Sequence, residues 1–296
     1  MIKSFNANAK LNLILDVIKK REDGYHDISS VMQSICLHDV ITVSAEASEK
    51  KEIKVSCSNA GDFSSVKWDE SNLVYKAAAL MLTESEKMGK SPVKVSIEVE
   101  KNIPAGAGMG GGSADAATVL KALNEMLSLG LSEEKLCQMG AKLGADVPFC
   151  IIGGTALCEG IGERITPLPF PGPVPCVILK PEVSLGTREM YEITDEFIDS
   201  SEHPSTDYME TALLSGRTRD FFSACSNFME EAAVRMCPEI NVLKRLLKEA
   251  GAEVSMMTGS GSAVFGLFSS EEKAKKAFEE LNPPKAKKFI SQFSVD

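Results

Sequence analysis

The residues best suited to chemistry form a glycine-rich run at positions 101–117, which reads K-N-I-P-A-G-A-G-M-G-G-G-S-A-D-A-A. Five of the seven residues from Gly106 to Gly112 are glycine, and Ser113 follows them directly. Such a loop presents bare backbone N–H groups, and a helix after it adds the positive end of its dipole. The pattern therefore predicts a binding site for a di- or triphosphate.

The segments on either side of the run support this interpretation. Apolar and polar residues alternate from Val93 to Val99, which is the period of a half-buried strand. Apolar residues then recur at helical spacing from Ala116 to Leu127, with polar residues on the opposite face. Ser113 stands where this helix is expected to begin. The sequence thus predicts a strand, a phosphate loop and a helix in succession.

Three known nucleotide motifs have overlapping spacings, and this run satisfies none of them. Gly106, Gly111 and Ser113 match the P-loop, but Gly112 stands where its lysine is required. The dinucleotide pattern lacks its acidic residue at the end of a second strand. A protein-kinase loop requires H-R-D and D-F-G motifs, which the sequence does not contain. A phosphate loop of another family remains, and the alternative is a glycine turn without a ligand.

Two further segments carry polar groups in unusual places. The loop T-G-S-G-S at 258–262 joins two apolar strands and is either a second anion contact facing the first or a simple hairpin turn. Lys10 and Asn12 interrupt an apolar strand, where polar groups are costly to bury without partners. The basic turn that follows ends in Tyr25 and His26, which could stack on a base and hydrogen-bond it, or form only a surface turn.

The composition is typical of a globular enzyme and excludes several other classes. A length of 296 residues suggests about two domains, and a net charge of −10 argues against broad nucleic-acid binding. The N-terminus lacks the apolar core of a signal peptide and no apolar run could span a membrane, so we expect a cytoplasmic protein. Eight dispersed cysteines without a C-x-x-C pair predict neither a metal site nor a disulfide framework.

The order of the remaining elements predicts two domains of mixed α and β structure. The five prolines between Pro167 and Pro175 indicate a linker, so the boundary is placed between residues 1–166 and residues 167–296. The C-terminal domain is expected to be an α/β sandwich. Strands are predicted at 40–44, 53–58, 254–257 and 263–268, and helices at 73–88, 133–143, 240–250 and 271–281.

Together these segments resemble the GHMP small-molecule kinases over essentially the whole chain. Ala9 to Leu15 is similar to the first family motif, Ile103 to Ala117 to the second, and Thr258 to Gly261 to the third. The motifs R-E-D-G-Y-H at 21–26 and G-A-D-V-P at 144–148 are similar to those of members that phosphorylate a diphosphocytidyl alcohol. The resemblance implies a two-domain α+β kinase with an N-terminal mixed-sheet ATP-binding domain.

The resemblance also implies a role for particular residues. Asp146 would be the catalytic base, and Lys10 its cationic partner. ATP, accompanied by Mg²⁺, would be bound by a set of residues before and along the glycine run. That set comprises Asn72, Leu73, Lys101, Pro104, Ala105, Gly106, Ala107, Gly108, Met109, Gly110, Gly111, Gly112, Ser113 and Ala114. Of these, Asn72, Leu73 and Lys101 would lie near the nucleoside.

For the alcohol substrate, the resemblance implies that Tyr25 and Tyr191 enclose the cytosine and that His26 reads its polar edge. Asn12 and Thr187 would lie near the polyol and its phosphates. Two residues depart from the family's second motif: Ala114 replaces a serine and Met109 a leucine. The alternatives that remain are another GHMP kinase, acting on homoserine or mevalonate, and a metabolite sensor without catalysis. No oligomeric state is indicated.

Overall fold

The computed structural model describes residues 1–59, 63 and 66–296. The helices are α1 Leu73–Lys87, α2 Gly111–Met126, α3 Glu133–Gly140, α4 Val147–Ile152, α5 Thr187–Thr194, α6 Thr206–Ser215, α7 Thr218–Ala224, α8 Glu230–Met236, α9 Glu239–Glu249 and α10 Glu271–Glu280. The strands are β1 Ile2–Lys20, β2 His26–Ala47, β3 Glu52–Cys57, β4 Val93–Glu100, β5 Thr155–Gly160, β6 Arg164–Pro167, β7 Pro175–Pro181, β8 Ser226–Asn227, β9 Val254–Met257, β10 Val264–Leu267 and β11 Ala286–Gln292.

The chain forms two compact units, and each is assembled from three segments. Unit 1 comprises Met1–Ala9, His38–Ala105 and Gly110–Ile152. Unit 2 comprises Lys10–Leu37, Gly106–Met109 and Gly153–Asp296. The long strands β1 and β2 and the glycine loop are therefore each divided between the units. The boundary placed after residue 166 separates domains along the sequence and stays a prediction.

Unit 1 contains a mixed sheet in which β4 lies between β3 and β2. β3 pairs with β4 in parallel, from Glu52 opposite Lys94 to Cys57 opposite Val99. The second half of β2 pairs with the other edge of β4 in antiparallel register. Apolar residues of these strands and of α1 to α4 form one buried core, because the alternation that the sequence predicts for 93–99 directs every second side chain inward.

Unit 2 contains a four-stranded antiparallel sheet with the order β11-β7-β10-β9. Helices α8, α9 and α10 share one apolar core with this sheet and with Leu15, Val17 and Ile28 of the first two strands. The first half of β2 also pairs with β5, and β1 pairs in parallel with β8 at Ile14 and Leu15. Burial of these residues explains why the start of the chain packs with its C-terminal part.

The predicted α+β class, with a mixed sheet and a separate sandwich, is confirmed. Ser132 accepts a hydrogen bond from the Lys135 N–H and is the N-cap of α3, as expected. The helix after the glycines begins at Gly111, two residues before the expected Ser113, because Gly110 in the left-handed conformation is its N-cap. Within the described part of the chain, every helix is too short or too polar to cross a bilayer.

Candidate active site

In unit 2, Lys10 and Asn12 lie side by side on β1 and are almost completely buried. Lys10 Nζ donates to Asn12 Oδ1 at 2.5 Å, and Asn12 Nδ2 donates to Ser30 Oγ at 2.8 Å. The Lys10 N–H also donates to the carbonyl oxygen of Met109, in the glycine loop, at 3.0 Å. These partners offset the cost of burying an ammonium and an amide in an apolar strand.

The loop at 258–261 lies directly against these residues, as the hypothesis of a second anion contact requires. The Asn12 N–H donates to Thr258 Oγ1 at 3.0 Å. A Cβ atom added at Gly259 would lie 2.7 Å from the carbonyl oxygen of Gly108 and 3.2 Å from Lys10 Nζ. This loop is therefore more than a simple hairpin turn, because it lies against both Lys10 and the phosphate loop.

At Gly108, the phosphate loop has no room for a side chain. Gly108 has a φ of 73°, and an added Cβ would lie 2.2 Å from the carbonyl oxygen of Thr258. The Ala263 N–H donates to the carbonyl oxygen of Ala107 at 3.2 Å, which holds the loop against the start of β10. Thr187 Oγ1 lies 3.2 Å from Ser260 Oγ, so this predicted substrate residue lies at the same loop.

In unit 1, the glycine run becomes the first turn of α2. Gly110 has a φ of 72° and provides no side-chain cap, so the first N–H groups of the helix are left for another acceptor. This arrangement fits a phosphate group. A Cβ added at Gly112 would contact only Leu73, at 3.8 Å from its Cδ1. Asn72 caps α1 through Oδ1 and donates through Nδ2 to the carbonyl oxygen of Lys67.

Asp146 lies immediately before α4 and is half-buried. Its carbonyl oxygen accepts from the Cys150 N–H at 3.1 Å, which fixes the backbone at the start of this helix. A Cβ added at Gly144 would lie 3.8 Å from Ser113 Oγ. Unit 1 therefore brings the segment that carries Asp146 next to the first turn of α2.

Lys101 has a different environment from the one expected of a nucleoside contact. Its ammonium group is buried, donates to Asp115 Oδ2 at 2.8 Å and also bonds Asp39. Burial raises the pKa of the Asp115 carboxyl to about 8; the Lys101 ammonium opposes this shift, and Asp39 adds to it. The pKa of Lys101 is raised, because the two carboxylates outweigh the effect of burial. Its ammonium is thus held inside unit 1.

Of the three residues predicted to bind cytosine, His26 and Tyr191 contact each other in unit 2, whereas the side chain of Tyr25 is exposed. The imidazole of His26 stacks on Tyr191, with ring centroids 4.5 Å apart and 16° between the planes. His26 Nε2 lies 2.6 Å from Asp195 Oδ1, and Lys20 Nζ lies 2.5 Å from Asp195 Oδ2. Tyr25 is 61% exposed on the preceding turn. His26 and Tyr191 are therefore in contact, whereas the Tyr25 ring faces solvent.

Three acidic residues at these sites had no role in the sequence-based hypothesis. Asp115 is buried against Lys101. Asp39 and Asp195 carry no local motif, and each bonds a residue far away along the chain. The signal that could have found Asp115 is its position among alanines on the buried face of α2.

The described residues contain no group of three or more His, Cys, Asp or Glu side chains that could hold a metal ion. A magnesium ion that arrives with ATP takes much of its coordination shell from phosphate and water. No residue of this chain is therefore assigned to Mg²⁺.

Comparison with known protein families gives two matches. The model described as the GHMP kinases N terminal domain matches residues 72–154, and that of the GHMP kinases C terminal matches residues 209–284. These matches contain α1 to α4 in the first case and α7 to α10 in the second.

Curated relatives cover nearly the full chain. A 4-diphosphocytidyl-2-C-methyl-D-erythritol kinase of Caldicellulosiruptor bescii is 42% identical over 275 residues, which are 93% of this chain and 92% of the relative. The protein of the same name from Acetivibrio thermocellus is 40% identical over 289 residues, or 98% of each chain.

Solved structures agree with the sequence comparisons. A crystal structure of 4-(cytidine 5'-diphospho)-2C-methyl-D-erythritol kinase is similar with a TM-score of 0.80 and 32% identity, over 98% of this chain and 99% of the other. A homoserine kinase from Cytophaga hutchinsonii shares the fold, with a TM-score of 0.70 and 20% identity. The similarity covers 99% of this chain and 96% of the other. The predicted two-domain GHMP kinase fold is confirmed, and the chain belongs to the GHMP kinase family.

Proposed function

We propose that this kinase transfers the γ-phosphate of ATP to the 2-hydroxyl of 4-diphosphocytidyl-2-C-methyl-D-erythritol, a step of the non-mevalonate isoprenoid precursor pathway. Support comes from relatives about 40% identical over nearly the whole chain that carry this name. One observation of the chain itself carries the proposal: Lys10 Nζ, Asn12 and the 258–261 loop converge on Gly108 of the phosphate loop.

The phosphates of ATP are assigned to the glycine loop and the first turn of α2. The N–H groups after Gly110, which no side chain caps, are what an anion requires. Mg²⁺ is proposed to accompany ATP and to neutralise charge on its phosphate oxygens. Leu73, which contacts Gly112, is assigned to the nucleoside side of the same helix end.

In the proposed step, the substrate hydroxyl oxygen forms a bond to the γ-phosphorus while the bond to the bridging oxygen breaks. ADP leaves with the electron pair, and Asp146 accepts the hydroxyl proton. Lys10 screens the charge on the transferred phosphoryl oxygens. Because Lys10 Nζ is already directed by Asn12 Oδ1, this cation needs little reorganisation during the reaction.

The substrate's base is assigned to Tyr25, His26 and Tyr191, and its polyol and phosphates to Asn12 and Thr187. Thr187 lies at the 258–261 loop, and Asn12 bonds the same loop, so both can serve one ligand in unit 2. The cytoplasm is the proposed location of this kinase.

The first test is ATP-dependent ADP release with the diphosphocytidyl substrate, homoserine, mevalonate and no acceptor, followed by phosphorus NMR of the product. Turnover with the cytidyl substrate alone, with a new phosphomonoester signal, is the expected result. Turnover with another acceptor would keep the kinase and reject the cytosine site. ATP binding without turnover on any acceptor would favour a sensor.

A variant series tests the proposed roles. Asp146→Asn is expected to lower kcat by about 100-fold or more with little change in nucleotide affinity, because the proton acceptor is lost. Glu134→Gln, an exposed acid-to-amide change in the same unit, is the control. Full turnover in Asp146→Asn would show that another group accepts the proton.

A further inference from the structure

Asp195 connects the end of α5 to the residue assigned to the cytosine edge. Its Oδ1 lies 2.6 Å from His26 Nε2, and its backbone N–H donates to the carbonyl oxygen of Tyr191 at 3.0 Å. Tyr191 in turn stacks on the imidazole of His26. Since the His26 side chain is only 5% exposed, Asp195 and Tyr191 fix the plane of its ring.

The charge on Asp195 determines the direction of the hydrogen bond. Partial burial alone would raise the pKa of this carboxyl, but its hydrogen bonds with Lys20 and His26 lower it. An ionised carboxylate can only accept a hydrogen bond, so His26 Nε2 must donate. In a neutral imidazole the other nitrogen, Nδ1, is then an acceptor.

We propose that Asp195 is a positioning residue that keeps His26 Nδ1 an acceptor and thereby makes the site select cytosine over uracil. The two bases differ at position 4, where cytosine has an amino group that donates and uracil has an oxygen that accepts. An acceptor on the protein pairs with the first and leaves the second without a donor. This inference rests on the proposed function, because it requires His26 to face the base.

Lys20 makes the proposal testable with a single amide substitution. Its ammonium lies 2.5 Å from Asp195 Oδ2 and can only donate. In Asp195→Asn, the amide oxygen therefore turns toward Lys20 and the NH₂ group toward His26. His26 Nε2 must then accept, so the proton moves to Nδ1. The altered imidazole donates to the base and favours uracil over cytosine.

The experiment compares kcat/KM for the cytidine substrate and its uridine analogue at one fixed pH. Wild type is expected to prefer the cytidine substrate by about tenfold or more. Asp195→Asn is expected to lose at least about tenfold of this ratio, mainly through KM. Asp199→Asn, which removes an exposed carboxylate near the end of the same helix, is expected to keep the wild-type ratio.

A second variant shows whether the change in the kcat/KM ratio comes from the His26 tautomer or from a general loss of structure. In Asp195→Asn combined with Lys20→Met, nothing orients the amide, so part of the cytidine preference is expected to return. An unchanged ratio in Asp195→Asn would overturn the proposal.

Should the variants fail to fold, NMR of nitrogen-labelled wild type reports the protonated nitrogen of His26 directly. A proton on Nε2 supports the proposal, and a neutral ring with its proton on Nδ1 overturns it. A wild type that does not use the cytidine substrate would instead reject the proposed function.

Discussion

Lys101 Nζ lies 2.8 Å from Asp115 Oδ2 and also bonds Asp39, so two buried acidic side chains share one buried cation in unit 1. Asp39 Oδ1 accepts the N–H groups of Asn102 and Ile103, which precede the glycine loop. Asp115 belongs to the helix that follows the loop. The three side chains therefore tie together the chain segments on both sides of the loop.

Replacing Lys101 with methionine is expected to lower the free energy of unfolding by about 3–5 kcal/mol, because the Asp39 carboxylate then remains buried without its cation. The measurement is urea unfolding followed by circular dichroism. Lys135→Met, at an exposed position of α3, is the control and is expected to change stability by less than about 0.5 kcal/mol. Equal stability of the two variants would show that the bonds of Lys101 with Asp39 and Asp115 do not contribute to the free energy of unfolding.

The raised pKa of Asp115 predicts a pH dependence of stability. The carboxyl has a pKa of 3.8 when unperturbed and about 8 in the fold, so the folded state holds a proton that the unfolded state releases. Its contribution to stability is complete below pH 3.8 and is lost as the pH rises toward 8. Asp115→Asn cannot ionise, so its stability relative to wild type is expected to increase over this range.

The control for this measurement is Glu134→Gln, whose carboxylate is exposed on the same unit. Urea midpoints for wild type and both variants, taken at several pH values, give the comparison. If the difference in urea midpoint between wild type and Asp115→Asn stayed constant over this pH range, Asp115 would not hold a proton in the folded state.

Two glycines of the loop are predicted to differ sharply in their tolerance of alanine. In Gly108→Ala, the new Cβ would lie 2.2 Å from a backbone oxygen at a φ of 73°, so the loop must shift. Gly112 is helical and its Cβ would contact only Leu73 at 3.8 Å. Gly112→Ala is therefore expected to be as stable as wild type or up to about 1 kcal/mol more stable.

Thermal unfolding with and without ATP tests this difference. Gly108→Ala is expected to lose most of the ATP-dependent increase in melting temperature, since the displaced loop no longer presents its N–H groups. Similar stability and ATP response in the two alanine variants would reject the close approach of Gly108 to Thr258.

Sequence patterns predicted those structural features that depend on residues close together in the chain. The Ser132 cap, the strand at 93–99 and the glycine loop all follow from residues near one another in sequence. The hydrogen bond between His26 and Asp195 joins residues 169 positions apart, and no sequence pattern predicts it. Likewise, the sequence around Lys101 does not indicate that Asp39 and Asp115 bond its ammonium group. Partners of buried charges depend on packing that a single sequence does not display.

His203 is expected to stabilise unit 2 as an imidazolium. Its Nδ1 lies 2.7 Å from Asp16 Oδ1 and its Nε2 lies 2.8 Å from the carbonyl oxygen of Ile198, so both nitrogens face acceptors. Partial burial opposes the charge, but these hydrogen bonds raise the pKa of His203 above its ordinary 6.5. Its stabilising contribution is complete below pH 6.5 and is lost as the pH rises through the raised value.

Imidazole proton NMR measures the pKa of His203 directly, since the chain has only three histidines and His203→Gln assigns the signal. In unfolding experiments, the stability advantage of wild type over His203→Gln is expected to shrink as the pH rises above 6.5. Asp16→Asn should bring the NMR midpoint closer to the ordinary histidine value. An unshifted midpoint in wild type would show that the carboxylate does not hold the charge.

Tyr25 is predicted to bind substrate without contributing to the fold. Because its side chain is 61% exposed, Tyr25→Ala should leave the free energy of unfolding within about 0.5 kcal/mol of wild type. Loss of a ring stacked on the base should raise KM for the diphosphocytidyl substrate about 5- to 150-fold, with little change in kcat or in KM for ATP. Tyr25→Phe keeps the ring and should restore KM, whereas Tyr208→Ala, at another exposed tyrosine, should have no effect. An unchanged KM in Tyr25→Ala would mean that His26 and Tyr191 hold the base without a second ring, as their direct stacking already allows.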